Sequence, residues 1–230
     1  MFIGHYGVAL AGKSAAPRAS LGTWVLAAQW VDLLWPIFLL LGWEHMRVIP
    51  GSTGFATLDF YDYPISHSLL ADVGWAVAFG VVSFLVYRHV RMALLLGAGV
   101  LSHWILDLIV HRPDLPITPG QSERVGLGLW NSPAATMLVE IPLYALGIAL
   151  YVRTTRACDG IGRYGLGAGL ALLLALYLTN LGPPPPNAKV VAYMGLAGWL
   201  VVAWAYWVDR HREPVGEEKR HGAPTTQNGA

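Results

Sequence analysis

Residues 92–110 read MALLLGAGVLSHWILDLIV. A helix of this length rises about 28 Å, close to the hydrocarbon thickness of a bilayer. No Lys or Arg interrupts the run, yet it carries His103 and Asp107, and His111 follows at its edge. A segment this apolar predicts a membrane span, and ionisable groups inside a span need a partner or a purpose.

Working outward, five more segments fit the same description. The predicted spans are 21–43, 67–87, 92–110, 134–152, 164–181 and 190–208. Residues 2–12 are also apolar, but eleven helical residues cover only about 17 Å. They predict a helix that enters the membrane without crossing it. The expected fold is all-α: a polytopic membrane helix bundle of about six transmembrane helices plus that N-terminal, partly inserted helix. Composition agrees, with 55% hydrophobic and 13% charged residues, against about 25% charged in ordinary soluble domains. The net charge of +1 gives no reason to expect a nucleic-acid partner. Cys158 is the sole cysteine, which excludes an internal disulfide and disfavours a Cys-based metal site. The start of the chain lacks the basic n-region of a secretory signal.

The domain reading is one transmembrane domain over 1–208. Residues 1–152 hold the ionisable helices, 164–208 form scaffold helices, and 209–230 are expected to be a disordered cytoplasmic tail. Lys13–Ser20, the Pro50–Gly54 stretch in a loop running to Pro64, residues 112–133, and the Pro183–Pro186 run punctuate the spans. Pro36 and Pro142 lie inside spans and should kink them or free a carbonyl. Gly165 and Gly169 have a spacing that can bring helices together. Eleven Lys and Arg residues fall on one side of the spans and four on the other (Arg47, Arg112, Arg124, Lys189). The positive-inside rule then puts both chain ends on the cytoplasmic side and the loops 44–66 and 111–133 outside.

The ionisable residues of the spans are unevenly placed. Asp32, Asp72, His103, Asp107 and Glu140 lie within the first four, with His67 and His111 at their edges. The last two spans have none. Counting the helical rise places all of them in the outer half, where they could line one outward-opening cavity. His103, Asp107 and His111 recur at i, i+4 and i+8 and share a helix face. The turn after Lys13 folds residues 2–12 back on the first span and brings His5 near Asp32. Four acids without internal Lys or Arg must be protonated, paired with imidazolium, or bound to a cation. Imidazole and carboxylate together suit a zinc-like divalent ion. Each residue also has a plainer reading: a lone span Asp or His often bonds a neighbouring helix, and His67 and His111 could be interfacial. Asp72 has no motif around it. Glu44 and His45 read as solvated loop.

The order of these residues resembles a family. His5, Asp32, Ser66-His67-Ser68 and His103-Trp-Ile-Leu-Asp107 are similar to the pattern of the bacterial inner-membrane metal-dependent hydrolases of the YdjM-like family. There an early His is followed by Pro-Asp-x-Asp, Thr-His-Ser and His-x-x-x-Asp. The likeness covers about residues 1–145; Asp32 lacks the preceding Pro and the second Asp, and Ser66 stands for Thr. It implies a divalent-metal hydrolase with His5, Asp32, His67, His103 and Asp107 at the metal. His111 joins them by its spacing. The ion would activate water against an ester or phosphoester. Glu140 or Asp72 is then the expected general base or orienting carboxylate, and Arg112 or Arg124 the expected contact for a lipid phosphate. The expected partners are the bilayer and a lipid substrate. Three other functions fit the residues less fully: a proton- or ion-coupled transporter, paired-histidine haem ligation, and a noncatalytic scaffold.

Overall fold

The computed structural model describes residues 1–49, 55, 57–120 and 123–215. The predicted glycine-rich turn at 50–54 and the tail from 216 onward lie outside the described residues. The architecture is the expected helix bundle. Five helices are long and apolar enough to cross a membrane: 69–87, 90–110, 133–154, 161–181 and 188–209. Counting a bent helix pair, described next, as one span makes six.

The first helix, α1 (Ile3–Ala15), begins at the histidine-rich end of the bundle and runs to Lys13 at the other. It is longer than predicted, and Lys13 is buried in it instead of standing in a solvated turn. Ser20 caps α2 (Leu21–Ala28) by accepting from Thr23 N, and α3 (Trp30–Leu41) returns toward the starting end. The predicted 21–43 span is therefore broken, with a 55° bend. The break falls at Gln29, not at Pro36, which sits inside α3. Ala28 keeps its carbonyl for a histidine, as shown below, and a side chain inserted at a helix break is a known cause of such bends.

Ser68 caps α4 (Leu69–Tyr87), and α5 (Val90–Val110) follows after a two-residue reversal at Arg88, whose φ of 53° closes the turn. Ser132 caps α6 (Pro133–Thr154), which continues through Pro142. A π-turn at Ile161–Gly165 leads into α7 (Leu166–Leu178). Asn187 caps α8 (Ala188–Leu196), and α9 (Gly198–Asp209) ends the bundle. Asp209 belongs to this last crossing, which the sequence reading closed at 208.

Two glycines decide how close α1 comes to α6. A Cβ on Gly7 would meet the Leu143 carbonyl oxygen at 2.8 Å, and one on Gly147 would meet the Gly7 backbone. Small residues let the two backbones touch, as in other membrane helix pairs, and this holds His5 and Glu140 on facing elements. The Gly165/Gly169 spacing also packs a helix: Trp204 of α9 covers Gly169 and its indole N–H donates to the Gly165 carbonyl at 3.1 Å. On α4, Val77, Val81, Val82 and Leu85 are exposed, as a lipid-facing surface requires.

The connections contain short antiparallel ladders. Strands β1 (His45–Val48) and β2 (Leu58–Asp62) form a hairpin; β3 (Leu115–Pro116) pairs β4 (Arg124–Val125). Strands β5 (Thr155–Ala157) and β6 (Arg212–Pro214) pair at the Lys13 end, so 210–215 is structured where the sequence reading expected a disordered tail. Met1 lies buried beside Asp107, at the opposite end of α1 from β5 and β6.

Candidate metal centre

Four segments deliver side chains to one focus. His5 comes from α1, Asp32 from α3, His67 from the turn before α4, and His103 and Asp107 from α5, with His111 just past its end. The six residues named from sequence all converge. His103 Nε2 stands 3.3 Å from Asp107 Oδ2 and 3.6 Å from Asp32 Oδ1; His67 Nε2 stands 3.3 Å from Asp32 Oδ1 and 3.9 Å from Asp107 Oδ2. His111 Nε2 lies 3.6 Å from Asp107 Oδ2, and His5 Nε2 lies 3.1 Å from Asp107 Oδ1. The Met1 amine forms an ion pair with Asp107. His5 and His103 stack face to face, ring centres 3.7 Å apart.

The outer nitrogens settle what the inner ones can be. His103 Nδ1 lies 2.8 Å from the Ala28 carbonyl oxygen, which can only accept, so Nδ1 carries the proton. His111 Nδ1 lies 2.9 Å from Asp114 Oδ1, again an acceptor. His67 Nδ1 lies 2.6 Å from Ser66 Oγ, whose own hydrogen goes to Glu44 Oε2 at 2.6 Å. The Nδ1 atoms are thus committed, and each ring turns Nε2 toward the two carboxylates. An Nε2 facing a carboxylate needs a proton or a cation between them, and His103 Nε2 is buried with no hydrogen-bond partner. Two donors about 2.0–2.2 Å from one tetrahedral ion stand about 3.4 Å apart. The separations here bracket that figure. The donors fall into two triads, His5–His103–Asp107 and Asp32–His67–His103, each within 4.8 Å. They share His103 and form one continuous focus.

The surrounding partners were not foreseen. Glu44, read from sequence as solvated loop, is buried and accepts from Ile65 N and Ser66 N at 2.7 Å each. It fixes Ser66 and through it the His67 ring. Asp114 holds His111 and accepts from the Tyr63 hydroxyl at 3.2 Å. Burial, then the Asp114 charge, pushes the Tyr63 hydroxyl well above its ordinary range, so it stays a donor. Such outer partners orient metal-binding histidines and raise their basicity. The dense wording of 59–68 and 111–116 was the available signal.

A cavity of about 150 Å³ opens on the focus, with Asp32, His67, Asp107, His111 and Glu140 in its wall. Glu140 is buried; its Oε2 accepts from Phe2 N at 2.8 Å and Gly4 N at 3.2 Å, while Oε1 has no partner. Three expectations need correcting. Asp72 is buried but does not line this cavity, and neither carboxylate oxygen has a hydrogen-bond partner among the described residues. Arg124 gives its guanidinium to the Phe60, Tyr61 and Asp114 carbonyls. Arg112 donates to the Leu58 carbonyl. Neither lines the cavity; β2 and its flanking loop need these donors for their own backbone. Paired-histidine haem ligation also fails, since His67 and His111 turn Nε2 toward the same carboxylate and leave no gap for a macrocycle.

Neither a family model, nor a curated protein, nor a solved structure matches this chain.

Proposed function

We propose that this chain is a membrane-embedded, divalent-metal-dependent hydrolase acting on an ester or phosphoester. One observation carries the reading: imidazoles whose Nδ1–H groups are already committed aim Nε2 at Asp32 and Asp107. His5, Asp32, His67, His103, Asp107 and His111 would hold the metal, and zinc suits their mix of nitrogen and oxygen. When bound, the ion supplies a Lewis acid and lowers the pKa of water at the site.

The chain's own groups supply the rest. Glu140 is pinned through Oε2 and keeps Oε1 free in the cavity wall, so Oε1 is our choice for the atom that accepts a proton. Trp35, Phe60 and Trp130 wall the cavity and limit water around the focus. Asp32, with 37% of its side chain accessible against 2% for Asp107, is the carboxylate on the open face. Membership of the YdjM-like hydrolases, a bacterial inner membrane, and a cytoplasmic Arg-rich end are part of the same proposal. The transporter alternative is less supported, because the acids cluster at one end, and Lys13, Asp209 and Tyr151 close the other with bonds to each other. Elemental analysis of the purified chain tests the reading. We expect stoichiometric zinc, absent from His103→Ala; a metal-free wild type that binds none on titration would end it.

A further inference from the structure

A second, larger cavity of about 400 Å³ lies beside the first, within the range of about 300–1,000 Å³ typical of ligand pockets. The two share Phe2, Asp32, Trp35 and Asn180 as wall residues. Elsewhere the walls change character: Leu33, Leu173, Leu176, Val191, Met194 and Val201 make them apolar. We propose that this cavity seats one acyl chain of a membrane phospholipid whose head group reaches the metal centre past Asp32. The inference names the substrate class for the hydrolase reading and rests on it.

Three observations favour a lipid tail. The cavity lies along the seam between α7 and α8, which belong to the two last segments long and apolar enough to cross a membrane, 161–181 and 188–209. Helix α8 leans instead on α3, where Gly195 lies against Pro36, and this leaves the α7 side of the seam open. The lining runs from surface to interior: Met194 is 61% and Leu176 42% exposed, whereas Leu173 is 3% exposed. A fissure that opens through a lipid-facing surface meets phospholipid as its most abundant amphiphile. The charged end of the wall is the end shared with the metal centre. Asp32 and Asn180 line both cavities, Thr179 adjoins Asn180, and beyond Gln29 and Tyr6 the second cavity's side chains are mainly hydrocarbon. That order, charge then amide and hydroxyl then hydrocarbon, is the order of groups along a phospholipid.

The test uses full-length protein in nanodiscs containing phosphatidylglycerol with a diazirine at mid-chain. After illumination, peptide mapping locates the adducts. Adducts should concentrate on Leu173, Val191 and Val201 over Val77 and Val81 of the exposed α4 face. Two variants at the rim, Ala197→Trp and Leu176→Trp, should each cut labelling at Leu173 several-fold while metal content and thermal midpoint stay at wild-type values. The same diazirine on a free fatty acid should label the cavity less than the phospholipid does. Adducts spread evenly over the lipid-facing helices, labelling unchanged in both rim variants, or a preference for the fatty acid would overturn the proposal. Labelling is read with and without chelator and should persist without metal, since hydrocarbon walls hold the tail. A protein that binds no zinc on titration yet still labels in the seam would sink the hydrolase reading and spare the cavity; a zinc-binding protein with scattered adducts would do the reverse.

Discussion

The two ends of α1 each bury an ionic cluster, and the two are built to opposite rules. At one end Lys13 Nζ donates to Asp209 Oδ2 at 2.8 Å, Leu21 N donates to the same oxygen at 3.0 Å, and the Tyr151 hydroxyl donates to Oδ1 at 2.8 Å. Every acceptor meets a donor, and the cluster ties α1, α2, α6 and α9 together. At the other end Asp32 and Asp107 face the Nε2 atoms of His67, His103 and His111, whose Nδ1 atoms are committed elsewhere, and the Met1 amine pairs with Asp107. The first cluster matches each acceptor with a donor. The second gathers imidazole nitrogens and carboxylates at a focus that a proton or a cation must complete, and the fold keeps it assembled through partners one bond further out. Burial alone therefore does not distinguish the two clusters; the balance of donors and acceptors does.

The largest expected difference comes from removing the central acid at each end. Asp107→Ala should bring zinc content to background. In chelator its thermal midpoint should also fall, because the substitution strands the buried Met1 amine that pairs with Asp107; zinc content is what separates the two ends. Asp209→Ala should leave zinc content alone and lower stability by about 3–5 kcal/mol, the cost of stranding a buried partner charge, here Lys13. Calorimetry and elemental analysis on both variants read the comparison directly. Zinc content unchanged in Asp107→Ala, or lost equally in both variants, would erase the distinction. A smaller effect should follow from the metal itself. Zinc at about 1,000 times its dissociation constant should stabilise wild type by about 4 kcal/mol, and should leave Asp107→Ala unmoved.

The outer partners come next. Glu44→Gln and Asp114→Asn keep shape but weaken the acceptors that set His67 and His111, and each should cost about 10- to 100-fold in zinc affinity. Competition against a zinc chelator measures it, and unchanged affinity in both variants would mean the rings are held by packing alone. These two residues also mark the limit of what the sequence discloses. The helices were legible because hydrophobic length is a local property, and the six inward residues because an ionisable group within a span is conspicuous. The hairpin return of α1 placed His5 at the right end, though it meets Asp107 and His103 and not Asp32. Glu44 and Asp114 sit in loops with no period to betray their facing, where an acid is ordinarily solvated. Lys13 resembled a turn residue because its partner lies 196 positions away. Arg112 and Arg124 resembled phosphate contacts because nothing local reveals that the loop carbonyls claim them. The bend at Gln29 has the same origin: Pro36 is the visible breaker, but the Ala28 carbonyl that the break leaves for His103 is defined only by the assembled bundle.

The smallest expected effect separates the two ends most finely. Ser20 caps α2 at the Lys13 end, accepting from Thr23 N at 3.1 Å. Ser68 caps α4 at the metal end, accepting from Ala71 N at 3.3 Å while its hydroxyl donates to the Pro64 carbonyl at 2.6 Å. Replacing either by Ala should cost about 1 kcal/mol, the ordinary value of an N-cap. The stability changes should therefore be alike. Zinc affinity should not be, because Ser68 follows His67 directly and anchors the turn that aims its ring, whereas Ser20 touches nothing at the focus. A several-fold weakening of zinc binding in Ser68→Ala, with none in Ser20→Ala, would show that the histidine turn is held rigid for the ion and not merely for the helix. Equal zinc affinity in the two variants would place the rigidity of His67 wholly in the Ser66–Glu44 bond.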